Sequence, residues 1–242
     1  MNNTNEKLSE AKIRDVFTIA RKHYEKRASD FLDPREQQIA EEVSRTFFGM
    51  KFFFDGGYEE AERKVLVAFP EDIEAQPFQT PIEALRITSK DPNEFPGHRD
   101  YLGSILGLGI KREKLGDILV GKGSADIIVK QDIVEYIGLN LVKVGNVPVQ
   151  VEEISLRELT NTERPFKEMK STVASLRLDA VASIAFGISR SKMAPYIKGE
   201  NLRLNFKTVK DPSISVKEGD VMSANRLGRA KVVEIGGKSK KG

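Results

Sequence analysis

Four consecutive residues, Ser189-Arg190-Ser191-Lys192, combine what a phosphate group requires of a protein. They precede Met193, Ala194 and Ile197, whose spacing predicts a helix over 190–198 with Ser189 as N-cap and Gly199 as its stop. The first N–H groups of a helix have no partner inside it, and together with the helix dipole they favour an anion. Arg190 and Lys192 add charge at that point, and Arg177, Lys198, Arg203 and Lys207 extend it. Each phosphate neutralised would release counterions, so binding through this set should weaken steeply with salt. A smaller cationic group, Lys111, Arg112 and Lys114, falls in a predicted loop with Lys122 in the following turn, and is a candidate secondary contact.

Other chemistries fail on residue type or spacing. The chain has no cysteine and two histidines, His23 and His98, so thiolate sites are impossible and a histidine-rich metal centre is not expected. His98-Arg99-Asp100 has the letters of a kinase catalytic loop, but the Asn required five residues after the Asp is replaced by Ile105. Gly103, Gly107 and Gly109 end a predicted helix and form no phosphate loop after a strand. Arg177-Leu178-Asp179 resembles the catalytic segment of large-family pseudouridine synthases, yet only 63 residues follow Asp179, too few for that domain. No serine–histidine–aspartate arrangement supports hydrolysis. The expectation is a protein without catalytic residues, metal or cofactor.

Charge is distributed unevenly along the 242 residues. From Arg177 onward there are 14 basic and 6 acidic residues, a net of +8, whereas the preceding body carries 25 basic and 30 acidic residues, a net of −5. A cationic last quarter behind a mildly acidic body is the asymmetry of a polyanion-binding module. The N-terminus, MNNTNEKLSE, has no apolar run of a signal peptide, and no stretch approaches the length of a membrane span. These features predict a soluble, cytoplasmic protein with no membrane partner.

The elements that must position these residues follow from periodicity. Residues 8–48 read as helical, with Ile13, Phe17, Ala20 and Tyr24 on one stripe; Asp33-Pro34-Arg35-Glu36 starts a helix that buries Ile39, Val43 and Phe47. Strands are expected at Phe52–Phe54 and Val65–Phe69. Strand, helix, strand, strand, helix and strand then follow at 82–87, 99–108, 117–120, 126–129, 132–141 and 147–154, the βαββαβ order of a ferredoxin-like domain. Beyond a polar connector or extended pairing strand, Leu178, Val181, Ala182 and Ala185 predict a short helix ending at Gly187. Leu202, Leu204 and Phe206 alternate with Arg203, Asn205 and Lys207 as a strand, and Val221, Met222, Val232 and Val233 fall in the last strands. The predicted division is 1–75, mainly helical with short strands; 76–160, central; 161–175, connector; 176–236, basic module; and 237–242, a disordered tail.

In the basic module Arg177-Leu178-Asp179, Ser189-Arg190-Ser191-Lys192, Ile197-Lys198-Gly199, Leu204-Asn205 and Lys217-Glu218-Gly219-Asp220 together resemble the RNA-binding domain of ribosomal small-subunit protein S-four. That resemblance adds Asp179, Ser191 and Asn205 to the RNA-binding set. The chain departs from the family at Phe206, where a glycine is usual, so the turn geometry changes and Phe206 offers a face for a stacked base. Phe54-Asp55-Gly56-Gly57-Tyr58, Ala61-Glu62-Arg63 and the segment from Gly97-His98-Arg99-Asp100-Tyr101-Leu102-Gly103 to Gly109-Ile110-Lys111-Arg112-Glu113 resemble the YlmH family. The resemblance implies an α+β protein with an N-terminal helical region, a central ferredoxin-like domain similar to an RNA-recognition motif, and a C-terminal S-four-like module. It further implies binding to ribosomal RNA of the large ribosomal subunit in quality control of stalled peptidyl-tRNA complexes, with tRNA a candidate partner and a link to cell division. The central strands lack the usual stacking aromatics, so that domain is expected to act as spacer or protein-contact surface. Off the ribosome a monomer is expected. The alternatives are an RNA-modifying enzyme that uses the module for docking and a division-associated scaffold.

Overall fold

The computed structural model describes residues 2–74, 78–91, 93, 94, 96–160 and 167–237. The chain forms two compact units, residues 3–164 and 165–242. Residues 161–166 of the expected connector, and the expected disordered tail beyond Gly237, lie outside the described residues; 167–175 contain no strand.

The first unit begins with helix α1 (Asn2–His23), strand β1 (Arg27–Leu32), helix α2 (Pro34–Ser44) and strands β2 (Met50–Asp55) and β3 (Lys64–Pro70). Asp33 caps α2: its carboxylate accepts from the N–H groups of Arg35 and Glu36, and Glu36 reaches back to the Asp33 N–H, which satisfies three otherwise orphaned donors. Ile13, Phe17, Ala20, Ile39, Val43 and Phe47 meet in one core, with the Phe17 and Phe47 rings stacked at 5.0 Å. Two expectations need correction. Residues 8–48 are not helical throughout, because β1 interrupts them and pairs with β3 through Ala28↔Val67 and Phe31↔Val65. Its partner lies more than thirty residues ahead, so no local periodicity announces it. Tyr24 is not on the buried stripe: it follows the last residue of α1 at φ 53°, is exposed, and donates its hydroxyl to Asp72.

Strands β1, β3 and β2 form an antiparallel sheet in that order. A second sheet follows from β4 (Ile82–Ser89), α3 (His98–Gly107), β5 (Leu115–Val120), β6 (Ser124–Lys130), α4 (Val134–Asn140), β7 (Lys143–Val144) and β8 (Val147–Ile154), in the order β5-β6-β4-β8-β7 with every pairing antiparallel. Tyr101 and Ile105 of α3 and Ile137 of α4 cover one face of it over Leu85, Ile87 and Ile127. Phe31, Val65, Val67 and Phe69 of the first sheet cover Ile82 and Ile128 on the other face. The phenylalanine run serves both layers: Phe52 and Phe54 join the helical core, and Phe53 turns to Phe69.

Of the segments that carried the YlmH resemblance, Phe54–Tyr58 and Ala61–Arg63 lie at the joint between these two sheets, whereas the segment from Gly97 contains α3 on the opposite face of the second sheet. Asp117, nearly fully buried on β5, accepts from the Tyr58 hydroxyl at 2.7 Å and from the N–H groups of Glu62 and Arg63 at 2.8 and 3.1 Å. Arg63 donates onward to the Leu115 and Phe31 carbonyls. A Cβ at Gly56 would lie 2.3 Å from that of Ala61, and one at Gly116 would lie 2.8 Å from the Phe31 ring, so neither position has room for a side chain.

The second unit holds helices α5 (Leu178–Ala185) and α6 (Arg190–Lys198) and strands β9 (Leu202–Leu204), β10 (Lys207–Thr208), β11 (Val221–Ala224) and β12 (Gly228–Lys231), paired in the order β10-β9-β11-β12. Leu178, Ala182, Met193, Ile197, Leu202, Met222 and Ala224 form its core, so both helices lie on one face of the sheet. The continuous strand expected over 202–207 is two strands. Asn205 and Phe206 both have positive φ, 48° and 65°, and form the two-residue turn of a β9–β10 hairpin. Val232 and Val233 lie beyond the end of β12.

Candidate nucleic-acid interface

The helix predicted over 190–198 is α6, with Ser189 at the N-cap. The Ser189 hydroxyl makes no cap bond; its oxygen lies 3.0 Å from the Ser191 hydroxyl oxygen. The Ser189 carbonyl accepts from the N–H groups of Lys192 and Met193, both at 2.9 Å. The Arg190 and Ser191 N–H groups have no acceptor among the described residues, so two backbone donors point out of the helix start. Ser189, Arg190, Ser191 and Lys192 are all exposed, whereas Met193 and Ile197 are buried.

Asp179 organises the charge beside this point. Its side chain is 6% exposed and accepts from Arg177 through Nε and Nη2, both at 3.2 Å, and from Arg190 Nη2 at 3.1 Å. Burial pushes the Asp179 carboxyl up, but the hydrogen bonds from Arg177 and Arg190 outweigh it and hold the group below the ordinary carboxylate range. The same bonding raises Arg177. Two arginines on one carboxylate leave one positive charge, and both guanidiniums are about half exposed. Asp179 is thus nearly buried and positions the two guanidiniums beside the start of α6.

The remaining predicted residues divide. Lys198 is exposed near the end of α6, Arg203 on β9 and Lys207 on the edge strand β10. Arg203 alternates with the buried Leu202 and points from the sheet face opposite α5 and α6, so it does not extend the helix start. Asn205 is committed to the fold, donating to Asp220 at 2.8 Å and accepting from the Val221 N–H at 2.9 Å. Each end of its amide makes one bond that closes the hairpin. Phe206 is half-buried with the Arg229 guanidinium 5.4 Å from its ring centroid, so part of the face expected for a base already carries a cation. Sequence reasoning did not place Arg229; its alternation with Ala230 after the Gly228 turn was the available signal.

The secondary group is largely spent inside the first unit. Arg112 donates to the Leu115 and Gly116 carbonyls at 2.7 and 3.2 Å; burial, then the neighbouring Arg63, lowers it to about 10. Lys114 pairs with Asp30 at 3.0 Å and Asp132 at 2.8 Å. Only Lys111 of the three is exposed. Among the described residues no group of three or more histidine, aspartate or glutamate side chains could hold a metal ion, and no helix is long and apolar enough to cross a membrane.

The architecture is an α+β protein of antiparallel sheets with a small basic second unit, and comparison with known proteins narrows it. The family described as "Putative RNA-binding domain in YlmH" matches residues 83–158, which span β4 to β8. The chain is 36% identical over 224 residues, 92% of its length and 86% of the relative's, to the "Ribosome-associated protein quality control protein P2" of Bacillus subtilis (strain 168). A solved structure, "Cell division protein ylmH from Streptococcus pneumoniae", superposes with a TM-score of 0.56 at 21% identity, over 64% of this chain and 93% of that one. The chain belongs to the YlmH family.

Proposed function

We propose that this chain is a non-enzymatic, cytoplasmic protein that binds structured ribosomal RNA on the large ribosomal subunit, with tRNA as a second RNA partner, in quality control of stalled peptidyl-tRNA complexes. In this reading residues 76–160 are a ferredoxin-like domain of the RNA-recognition-motif kind, and 176–236 an S-four-like module that makes the principal contact. The carrying observation is the start of α6, where two unclaimed backbone N–H groups lie beside Arg190, held by the buried Asp179, and the exposed Lys192. The printed role of the Bacillus subtilis relative supports the ribosomal setting. Burial of Ile82 and Ile128 under the first sheet supports assigning the central domain a spacer or protein-contact role, since base stacking needs an open sheet face.

The test is co-sedimentation of purified protein with large ribosomal subunits. Arg190→Glu combined with Lys192→Glu is expected to lower binding and to make its salt slope shallower by about two. Unchanged binding by the folded double variant would refute the reading.

A further inference from the structure

The four-stranded sheet of the second unit has a face that the helix-start reading does not use. Register places its residues. Arg203 on β9 pairs with Ser223 on β11 and with Thr208 on β10; Ser223 in turn pairs with Arg229 on β12, so Thr208, Arg203, Ser223 and Arg229 form one row across all four strands. The neighbouring pair Val221↔Lys231 lies on the same face, because side chains two apart along a strand share it. The intervening residues, Leu202, Leu204, Met222, Ala224 and Ala230, belong to the core beneath α5 and α6. The outer face therefore carries three charged side chains, Arg203, Arg229 and Lys231, all cationic and all exposed, with no carboxylate among its register positions. Arg203 and Lys231 make no ion pair among the described residues. Arg229 is anchored by its Nε donating to the Ser223 hydroxyl at 3.2 Å, with its guanidinium over Phe206.

A strand interval of about 4.8 Å puts Arg203 and Arg229 roughly 10 Å apart across β11. The hydroxyls of Ser223 and Thr208 lie in the same row. This is a flat lattice of cations and short polar groups with no apolar pocket, which suits a sugar–phosphate backbone and offers nothing to read a base edge. We infer that the outer face of the β10-β9-β11-β12 sheet is a second RNA-backbone surface, separate from the start of α6 and on the opposite side of the sheet from the helices, so that the unit can hold two RNA segments at once. The inference deepens the proposed function and rests on the chain being an RNA binder, but not on α6 as the contact.

The experiment uses the full chain and a short RNA duplex about one helical turn long, with stoichiometry read by sedimentation velocity at low salt. Wild type is expected to take up two duplexes, and a variant combining Arg203→Gln, Arg229→Gln and Lys231→Gln only one. Should that triple variant not fold, as judged by circular dichroism, Arg203→Gln with Lys231→Gln, neither of which supports another side chain, is expected to weaken the second binding event at least tenfold. Saturation of wild type at one duplex whose binding the sheet substitutions leave unaltered, or two binding events of unaltered strength in the folded sheet variant, overturns the inference. The Arg190→Glu, Lys192→Glu protein separates the two ideas. It is expected to keep one duplex, abolished by adding the sheet substitutions; if it keeps two, the helix-start reading fails and the sheet face stands.

Discussion

Two clusters of basic residues look alike in the sequence and differ in the fold. Lys111, Arg112 and Lys114 fall at the edge of a sheet, where carbonyls and carboxylates of the same unit absorb Arg112 and Lys114. Arg177 and Arg190 also meet a carboxylate, but they are two on one, and the carboxylate is the buried partner. The first arrangement uses charge to hold two layers together; the second uses a buried anion to hold charge at the surface. Positive residues in a sequence are therefore not free positive charge. What decides is the ratio of cations to internal acceptors and which partner is buried.

The largest effect that would sharpen this contrast belongs to the first unit. Asp117→Ala leaves the Tyr58 hydroxyl and the Glu62 and Arg63 N–H groups without their acceptor, and should cost about 3–4 kcal/mol of stability, read as a lowered urea midpoint. Next comes the reversal of charge at Arg190 and Lys192, expected to weaken RNA binding ten- to a hundredfold, roughly 1.4–2.8 kcal/mol; the urea midpoint also falls, because Arg190 is one of the two partners of the buried Asp179, so binding is read below the unfolding transition. Arg112→Gln should affect stability alone: stability falls by about 1–2 kcal/mol and RNA affinity stays within about twofold, measured by anisotropy. A drop in affinity there would break the contrast.

Acid offers a smaller, signed test. Because the Asp179 carboxyl is held down in the folded protein, the stability it contributes is present above the ordinary carboxylate range and is lost as pH falls through its lowered value. Asp179→Asn should flatten that acid limb in the second unit and reduce RNA affinity through loosened guanidiniums, while the Arg190→Glu, Lys192→Glu protein keeps its acid limb in part through Arg177. The smallest effect is expected at the hairpin. Phe206→Gly relieves a left-handed aromatic residue but loses the contact with Arg229, and should raise stability by no more than about 1 kcal/mol.

Much of the architecture was legible. The Asp33 capping box, the buried stripe of α2 and that of α1 up to Ala20, the α6 start and the βαββαβ elements, apart from the short added strand β7, all rest on neighbours within a few residues, and local chemistry announces such features. Strand β1 was missed because its reason to exist is β3. The Asn205-Phe206 turn was missed because phenylalanine at positive φ contradicts its preference, and is held there by the Asn205–Asp220 and Asn205–Val221 bonds across the sheet.

Residue order alone determined where positive charge is concentrated, where helices begin and which residues prefer the interior, since these depend on composition, periodicity and caps. Only the tertiary structure decided which cations remain available. Arg112 was lost to carbonyls beside it, Arg190 was held outward by a carboxylate eleven residues earlier, and Arg203 was sent to the far face of its sheet by strand pairing. The availability of a charge depends on partners that folding brings within about 3 Å, a distance that sequence separation does not encode.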